Sequence, residues 1–258
     1  MFTERSVNEA VAAVRDRHAP DALVLDCERD FETLPPEQAE ELALVTDRLG
    51  PASAPDAWLP PDAPEILQTY ASGTFTVGMP GDGSVVWTHQ TDPPVLICKP
   101  RLDESPADFR DFLIAEALVQ VGLDVPEHFL GFFGETYPDF ARVARDQFDP
   151  NETYQLAAAC YDAFLGLQTR DTFAKWDDDL FTAWLDAGEH IEARVSGLPS
   201  ALARGETSFP DATELACSAI KHATELPAPF DALDTTVYLD HGPEYAIKWL
   251  ERTLAELE

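Results

Sequence analysis

The chain has 258 residues, and 17 lysines and arginines stand against 48 aspartates and glutamates, a formal net charge of -31. A hydrophobic content of 45% with 10% aromatics excludes a disordered chain, and carboxylates spread from Glu4 to Glu258 exclude a mere acidic tail. Nucleic acid and anionic membrane surfaces are excluded as partners, because no basic stripe exists to displace counterions from phosphates or to meet anionic head groups.

In chain order, Ser6 stands three residues before Glu9, a capping-box spacing, and Val7, Val11 and Val14 share one face of the helix expected there. Ala22-Leu23-Val24-Leu25 is a short strand candidate. Pro35-Pro36 opens a second helix with Leu42, Val45 and Leu49 on its apolar face and Gly50 as its stop. Pro51, Pro55, Pro60, Pro61 and Pro64 make an extended connector, pinned to the body by Trp58 and Leu59. A short helix is expected over 62–71. Thr74-Phe75-Thr76-Val77 alternates with period two, Gly78 to Gly83 is turn chemistry, Ser84 to His89 is a second strand, and Val95-Leu96-Ile97-Cys98 a third that Pro100 ends. Together they predict a three-stranded antiparallel β-meander over about 74–99, its third strand covered on both faces.

After Arg101 the pattern is helical. Ser105-Pro106 and Asp149-Pro150 each place a cap residue before proline, opening helices that run to Val121, before Gly122, and to about Leu167. A short helix is expected from Glu127 to Phe133, and longer ones over Asp177–Val195, Pro210–Glu225 and from Pro243 to the end. In the last, Ile247, Leu250, Leu254 and Leu257 form a narrow apolar seam. The fold class is therefore α+β: a meander packed against a mainly helical body. One domain is expected over 1–258, with a helical segment and proline-rich connector (1–64), the meander (65–102) and a helical part (103–258).

The phosphate-binding G-x-x-x-x-G-K-[ST], the nucleophile elbow G-x-S-x-G, H-E-x-x-H and the EF-hand loop are all absent. None of the six histidines follows a glutamate by three residues, so no di-metal bundle is expected. Cys27, Cys98, Cys160 and Cys217 are widely spaced and read as small buried hydrophobes of a reducing compartment. Asp177-Asp178-Asp179 reads as solvated charge at a helix start rather than a cation site. Neither a metal nor a cofactor is implied. Phe129-Leu130-Gly131-Phe132-Phe133-Gly134 is the densest aromatic cluster, read as core, with a subunit interface as the alternative.

Two residues stand apart. Glu116 and Gln120 are the polar residues of an otherwise apolar stretch over 112–121; they share a face, which is either a wet edge or a buried carboxylate needing a partner. Lys99, one of four lysines, ends the apolar strand and either pairs with Glu116 or reaches solvent. With Gly78-Met79-Pro80-Gly81-Asp82-Gly83 ahead of them, this order resembles the small lobe of protein and aminoglycoside kinases, and the resemblance implies a ligand-binding set of Gly81, Lys99 and Glu116. The sequence departs from that family in lacking G-x-G-x-x-G, H-x-D and D-F-G.

High acidity with scarce lysine and plentiful alanine resembles the cytosolic proteins of extremely halophilic archaea, and the order of segments is similar to an uncharacterised haloarchaeal family without known activity. That resemblance implies a cytoplasmic protein in molar salt. The N-terminus, Met1 to Arg5, has no apolar signal region. The expected function is a non-catalytic binding, regulatory or assembly module, with a homodimer open through the aromatic cluster or the last helix. The alternatives are a nucleotide-binding protein with a degenerate kinase-like small lobe, or an enzyme whose site is assembled from distant residues.

Overall fold

The computed structural model of the chain describes residues 1–257, apart from the side chains of Asp178 and Leu257. Residues 1–54, 65–127 and 177–183 form one compact unit, and 55–64, 128–176 and 184–258 a second.

The first unit carries β1 (Phe2–Glu4), α1 (Glu9–His18), β2 (Leu23–Cys27), α2 (Pro36–Leu42), β3 (Arg48–Leu49), α3 (Glu65–Ala71), β4 (Val85–Thr88), β5 (Thr91–Asp92), β6 (Val95–Cys98) and α4 (Ala107–Val121). The main sheet has four strands in the order β1-β2-β6-β4, and β3 and β5 make a separate pair. β6 runs parallel to β2, with Leu23 beside Val95, and antiparallel to β4, with Trp87 beside Leu96. Its unbroken apolar run suits an interior strand buried on both faces. One face joins Leu25, Phe31, Leu34, Leu42, Val86, Val95 and Ile97 in a core cluster. α4 packs against β4 and β6 and lies beside α1.

The α+β class stands, and the three-stranded meander is corrected. Thr74 to Val77 form no ladder. Their backbone groups are taken elsewhere: the Gln90 side chain accepts from the Thr76 N–H and donates to the Thr76 carbonyl at 2.7 Å, while the Leu34 N–H donates to the Val77 carbonyl at 2.8 Å. The strand beside β6 is instead β2, distant in sequence. The first helix is capped by Asn8, whose side chain accepts from the Val11 N–H, so Ser6 and Val7 lie outside it. The second helix stops at Leu42; Leu44 and Val45 are exposed, and Leu49 lies in β3.

In the second unit α5 (Phe129–Phe133), α6 (Tyr137–Ala144), α7 (Pro150–Phe173), α9 (Leu198–Ala203), α10 (Phe209–Ala219), α11 (Thr236–His241) and α12 (Pro243–Leu257) join most of α8 (Asp178–Val195). α7 is the axis, against which α5, α6, α10 and α11 pack. It opens with a full capping box: the Asp149 carboxylate accepts from the Asn151 and Glu152 N–H groups, and the Glu152 carboxylate accepts in turn from the Asp149 N–H. α5 starts later than expected, at Phe129, because His128 Nδ1 accepts from the Leu130 N–H as its cap. α10 ends at Ala219 rather than Glu225, giving way to a single 3-10 turn over Ile220–His222.

The aromatic cluster is core: Phe129, Leu130 and Phe133 are buried, and Phe129 meets the rings of Tyr137 and Tyr154 at 5.3 and 5.0 Å. Of the α12 seam, Leu250 and Leu254 are buried and Ile247 is half-buried, beside the buried Ala246 and Trp249, and the helix packs on α6 and α11. The Asp178 and Leu257 side chains, parts of the acidic run and of that seam, lie outside the described residues.

Candidate functional site

Lys99 follows β6 in extended backbone and prolongs its ladder, its N–H donating to the Ser84 carbonyl at 2.8 Å. Strand alternation then fixes its side. Lys99 falls with Val95 and Ile97, on the face that carries Phe31, Leu34 and Leu42. The side chain is 1% exposed, and its ammonium lies 4.8 Å from the Phe31 ring centroid. The ammonium has no hydrogen-bond partner among the described residues. A buried charge without an acceptor costs several kcal/mol unless something supplies one.

Three segments enclose it. From the end of β2 come Cys27, Asp30 and Phe31. From the loop before β4 comes the turn Met79-Pro80-Gly81-Asp82, closed by the Asp82 N–H donating to the Met79 carbonyl at 3.0 Å, with Gly81 at a φ of +92°. Proline and then glycine at the two central positions are what a type II turn requires. The Asp82 carboxylate turns back to accept from the Met79 N–H at 2.7 Å. Gly78 is held closer still: a Cβ there would stand 2.4 Å from the Glu32 carbonyl oxygen and 2.9 Å from the Phe31 ring, and its φ is +80°. The third segment brings Arg101, which donates to both Asp30 carboxylate oxygens at 3.2 and 3.3 Å and to the Asp82 and Gly83 carbonyls at 2.8 Å each. Arg101 thus latches the turn to the β2 segment.

Burial lowers the Lys99 pKa; the Asp82 and Asp30 carboxylates oppose that shift and Arg101 adds to it. Desolvation raises the Asp82 carboxyl against the pull of the Met79 N–H, Lys99 and Arg101. The Cys27 thiol, also desolvated, is pushed up to about 11. Desolvation thus shifts the amine down and the carboxyl up, and the opposite charge of each draws the other back.

Glu116 is buried, at 7% exposure, which answers the question of the wet edge. Gln120 Nε2 donates to it at 3.4 Å, and Gln120 Oε1 accepts from Trp87 Nε1 at 2.9 Å. Trp87 pairs with Leu96, so Glu116 covers the face of the sheet opposite to Lys99. The structure brings Gly81 and Lys99 into one neighbourhood and sets Glu116 apart from it.

Asp30, Phe31, Asp82 and Arg101 escaped the sequence reasoning because three loops bring them together. The Pro80-Gly81 turn was the one usable signal. A half-buried polar knot was also missed. Glu127 accepts from the Thr88 hydroxyl, the His89 N–H and the Gln90 side chain, and Gln90 accepts from the Ala52 N–H at 3.0 Å. Its bonds are mutual, and it serves to tie loops. In the second unit a small groove lies among Pro60, Pro64, Tyr137, Phe148 and Pro150, beside the 3.2 Å Asp62–Arg145 ion pair. Among the described residues there is no group of three or more metal-ligating side chains, and no helix long and apolar enough to cross a membrane.

These features define a mixed α+β protein with a buried lysine beneath a proline-glycine turn. Residues 1–257 match the model of a family of unknown function, DUF7089, and the chain belongs to that family. No curated protein and no solved structure matches it.

Proposed function

We propose that this chain is a non-catalytic binding module whose ligand presents a hydrogen-bond acceptor to Lys99 beneath the 78–83 turn. The observation that carries the reading is the buried ammonium without an acceptor. The nearby charges, Lys99 and Arg101 against Asp30 and Asp82, balance one another, and the whole chain is strongly anionic, so an uncharged oxygen suits the site better than a phosphate. The nucleotide reading required Lys99 and Glu116 together, and they occupy opposite faces of the sheet. A thermal-shift screen of neutral carbonyl compounds, sugars, carboxylates and Mg-ATP, run on wild type and on Lys99→Met, tests the proposal. A compound that raises the wild-type melting temperature and leaves the variant unmoved supports it. A library without such a compound, or equal stabilisation of both proteins, overturns it.

From the charge of the whole chain we propose, separately, a salt-rich cytoplasm as its setting. A net charge of -31 repels itself in dilute buffer, and at ~1 M salt the screening length falls to about 3 Å. The melting temperature rises with KCl in this view; a flat response from dilute buffer to molar salt removes it.

A further inference from the structure

We propose that the 78–83 turn is a lid over Lys99 and that Arg101 is its latch; the proposal rests on the binding reading above and names how that site is opened.

Lys99 is 1% exposed, so no solute reaches its ammonium unless a neighbouring segment moves. The sheet is not that segment. β6 is hydrogen-bonded along both edges, to β2 and to β4, and all four of its residues are buried. Phe31, whose ring the ammonium faces, belongs to the core cluster. The turn is different. Pro80, Gly81, Asp82 and Gly83 are exposed, whereas Thr76 to Met79 are buried. Its two internal bonds, from the Asp82 N–H to the Met79 carbonyl and from the Met79 N–H to the Asp82 carboxylate, hold its shape without tying it to the sheet. Asp82 is the charge that acts most strongly on Lys99, ahead of Arg101 and Asp30, which sets the tip of the turn beside the amine.

Arg101 holds that tip down. One guanidinium nitrogen donates to the Asp82 and Gly83 carbonyls at 2.8 Å each, and another to the Asp30 carboxylate. Arg101 lies two residues past Lys99, in a 3-10 turn over Pro100–Glu104, so latch and site belong to one segment. The two ends of the lid also differ as a hinged flap requires. At Gly78 an added Cβ would stand 2.4 Å from the Glu32 carbonyl oxygen, and the preceding Val77 carbonyl accepts from the Leu34 N–H at 2.8 Å. At Gly83 an added Cβ would meet nothing within 4 Å. The first end is the anchor, and the second is the joint that absorbs the backbone change when the tip swings outward. The closed lid keeps solvent from the amine, and the Arg101 bonds must break before a ligand enters or leaves, so they set its exchange rate.

Amine labelling of the full chain tests the lid. The protein is pulsed with acetic anhydride at mildly alkaline pH, in wild type and in Arg101→Met, at rising denaturant below the unfolding transition. Mass spectrometry reads the acetylation of Lys99 against that of the exposed Lys175 and Lys248. In wild type Lys99 should label more slowly than both by about tenfold or more, at a rate that low denaturant leaves flat, because a local opening exposes little surface. Arg101→Met should speed Lys99 by about tenfold, the low end for lost hydrogen bonds to a charged group, with the two references and the flat denaturant dependence unchanged. Three results overturn the lid: Lys99 labelled as fast as the references, a Lys99 rate equal in the two proteins, or one that climbs with denaturant at the full slope of global unfolding. If Arg101→Met fails to fold by circular dichroism, the denaturant slope in wild type decides alone. A compound that stabilises wild type and not Lys99→Met, found alongside any of those three results, leaves the binding reading standing without its lid. A lid that opens as expected, with no such compound, overturns the binding reading and not the lid.

Discussion

In the second unit, the polar tips of large buried side chains reach backbone carbonyls: the Tyr238 hydroxyl donates to Cys160 at 2.6 Å, Trp249 Nε1 to Pro229 at 2.9 Å and Trp184 Nε1 to Lys221 at 2.8 Å. In the first unit, by contrast, Lys99 carries a whole charge inside and finds no acceptor, while neighbouring loops are braced by Arg101 and Gln90. Both units have well-packed apolar cores, so hydrophobic burial does not separate them. The difference is in what their polar atoms are for. A helical body that satisfies its polar tips on its own backbone is a packing device, whereas a buried cation left open beside a sheet is a cost that folding alone does not require.

Acid should expose that contrast most strongly. Burial holds the His222 imidazole down to about 4 and the His128 imidazole down to about 3. Both rings stay neutral in the folded second unit when an unfolded histidine, near 6.5, takes up a proton. Between pH 6.5 and 4 the unfolded chain therefore binds more protons, so stability falls as pH falls, by on the order of 3 kcal/mol for each ring. Trp58, Trp176, Trp184 and Trp249 belong to this unit, so tryptophan fluorescence during denaturant unfolding reports on it. The carboxylates titrate in the same range, but they are common to wild type and to His222→Gln, and the difference between those two curves should narrow towards pH 4. Parallel curves would mean that the ring is not held neutral.

Packing should give the next largest effect. Phe129→Ala removes a ring that is 1% exposed and touches Tyr137 and Tyr154, and should cost about 3–5 kcal/mol of unfolding free energy in denaturant titrations. A loss below about 1 kcal/mol would mean a loosely filled second unit, and the comparison with the first would lose its reference.

Legibility in the sequence follows the same division. The second unit's helices were readable because their signals are local: Asp149-Pro150 before α7, proline at the start of α12, and 3.6-residue apolar spacing between. The first unit's hairpin of β4 and β6 was readable for the same reason. β2 beside β6 was not, because parallel pairing joins segments remote in sequence and leaves no turn signature. Thr74 to Val77 had the alternation of a strand, yet a glutamine side chain took the ladder's place. At the site, Lys99 and Gly81 were legible as a scarce lysine ending an apolar strand and a glycine in a turn. Asp82 and Arg101 were not, since one acid or arginine in a charged loop resembles every other until the loop is folded. Glu116 was legible as an oddity, but which face of the sheet it covers depended on strand register.

The smallest expected effect is the one that bears most directly on function. Lys99→Met keeps the length of the side chain and its contact with Phe31 and removes the ammonium. In an ordinary buried ion pair, removing one partner strands the other and is strongly destabilising. Here no described residue shares a hydrogen bond with the ammonium, Asp30 keeps its pairing with Arg101, and Asp82 keeps the Met79 N–H. The substitution should therefore stabilise the free protein, by about 1–4 kcal/mol if it follows other replacements of buried charge by apolar side chains, read as a higher denaturant midpoint at unchanged slope. The pH dependence carries the same sign. Because the folded Lys99 pKa lies below its usual 10.5, wild type should gain stability as pH rises through the folded value towards 10.5, where the folded amine has lost its proton and the unfolded one has not. The variant should lack that rise. A destabilised Lys99→Met would mean that the ammonium is already well accommodated in the fold, and the first unit would then bury its polar groups by the same rule as the second.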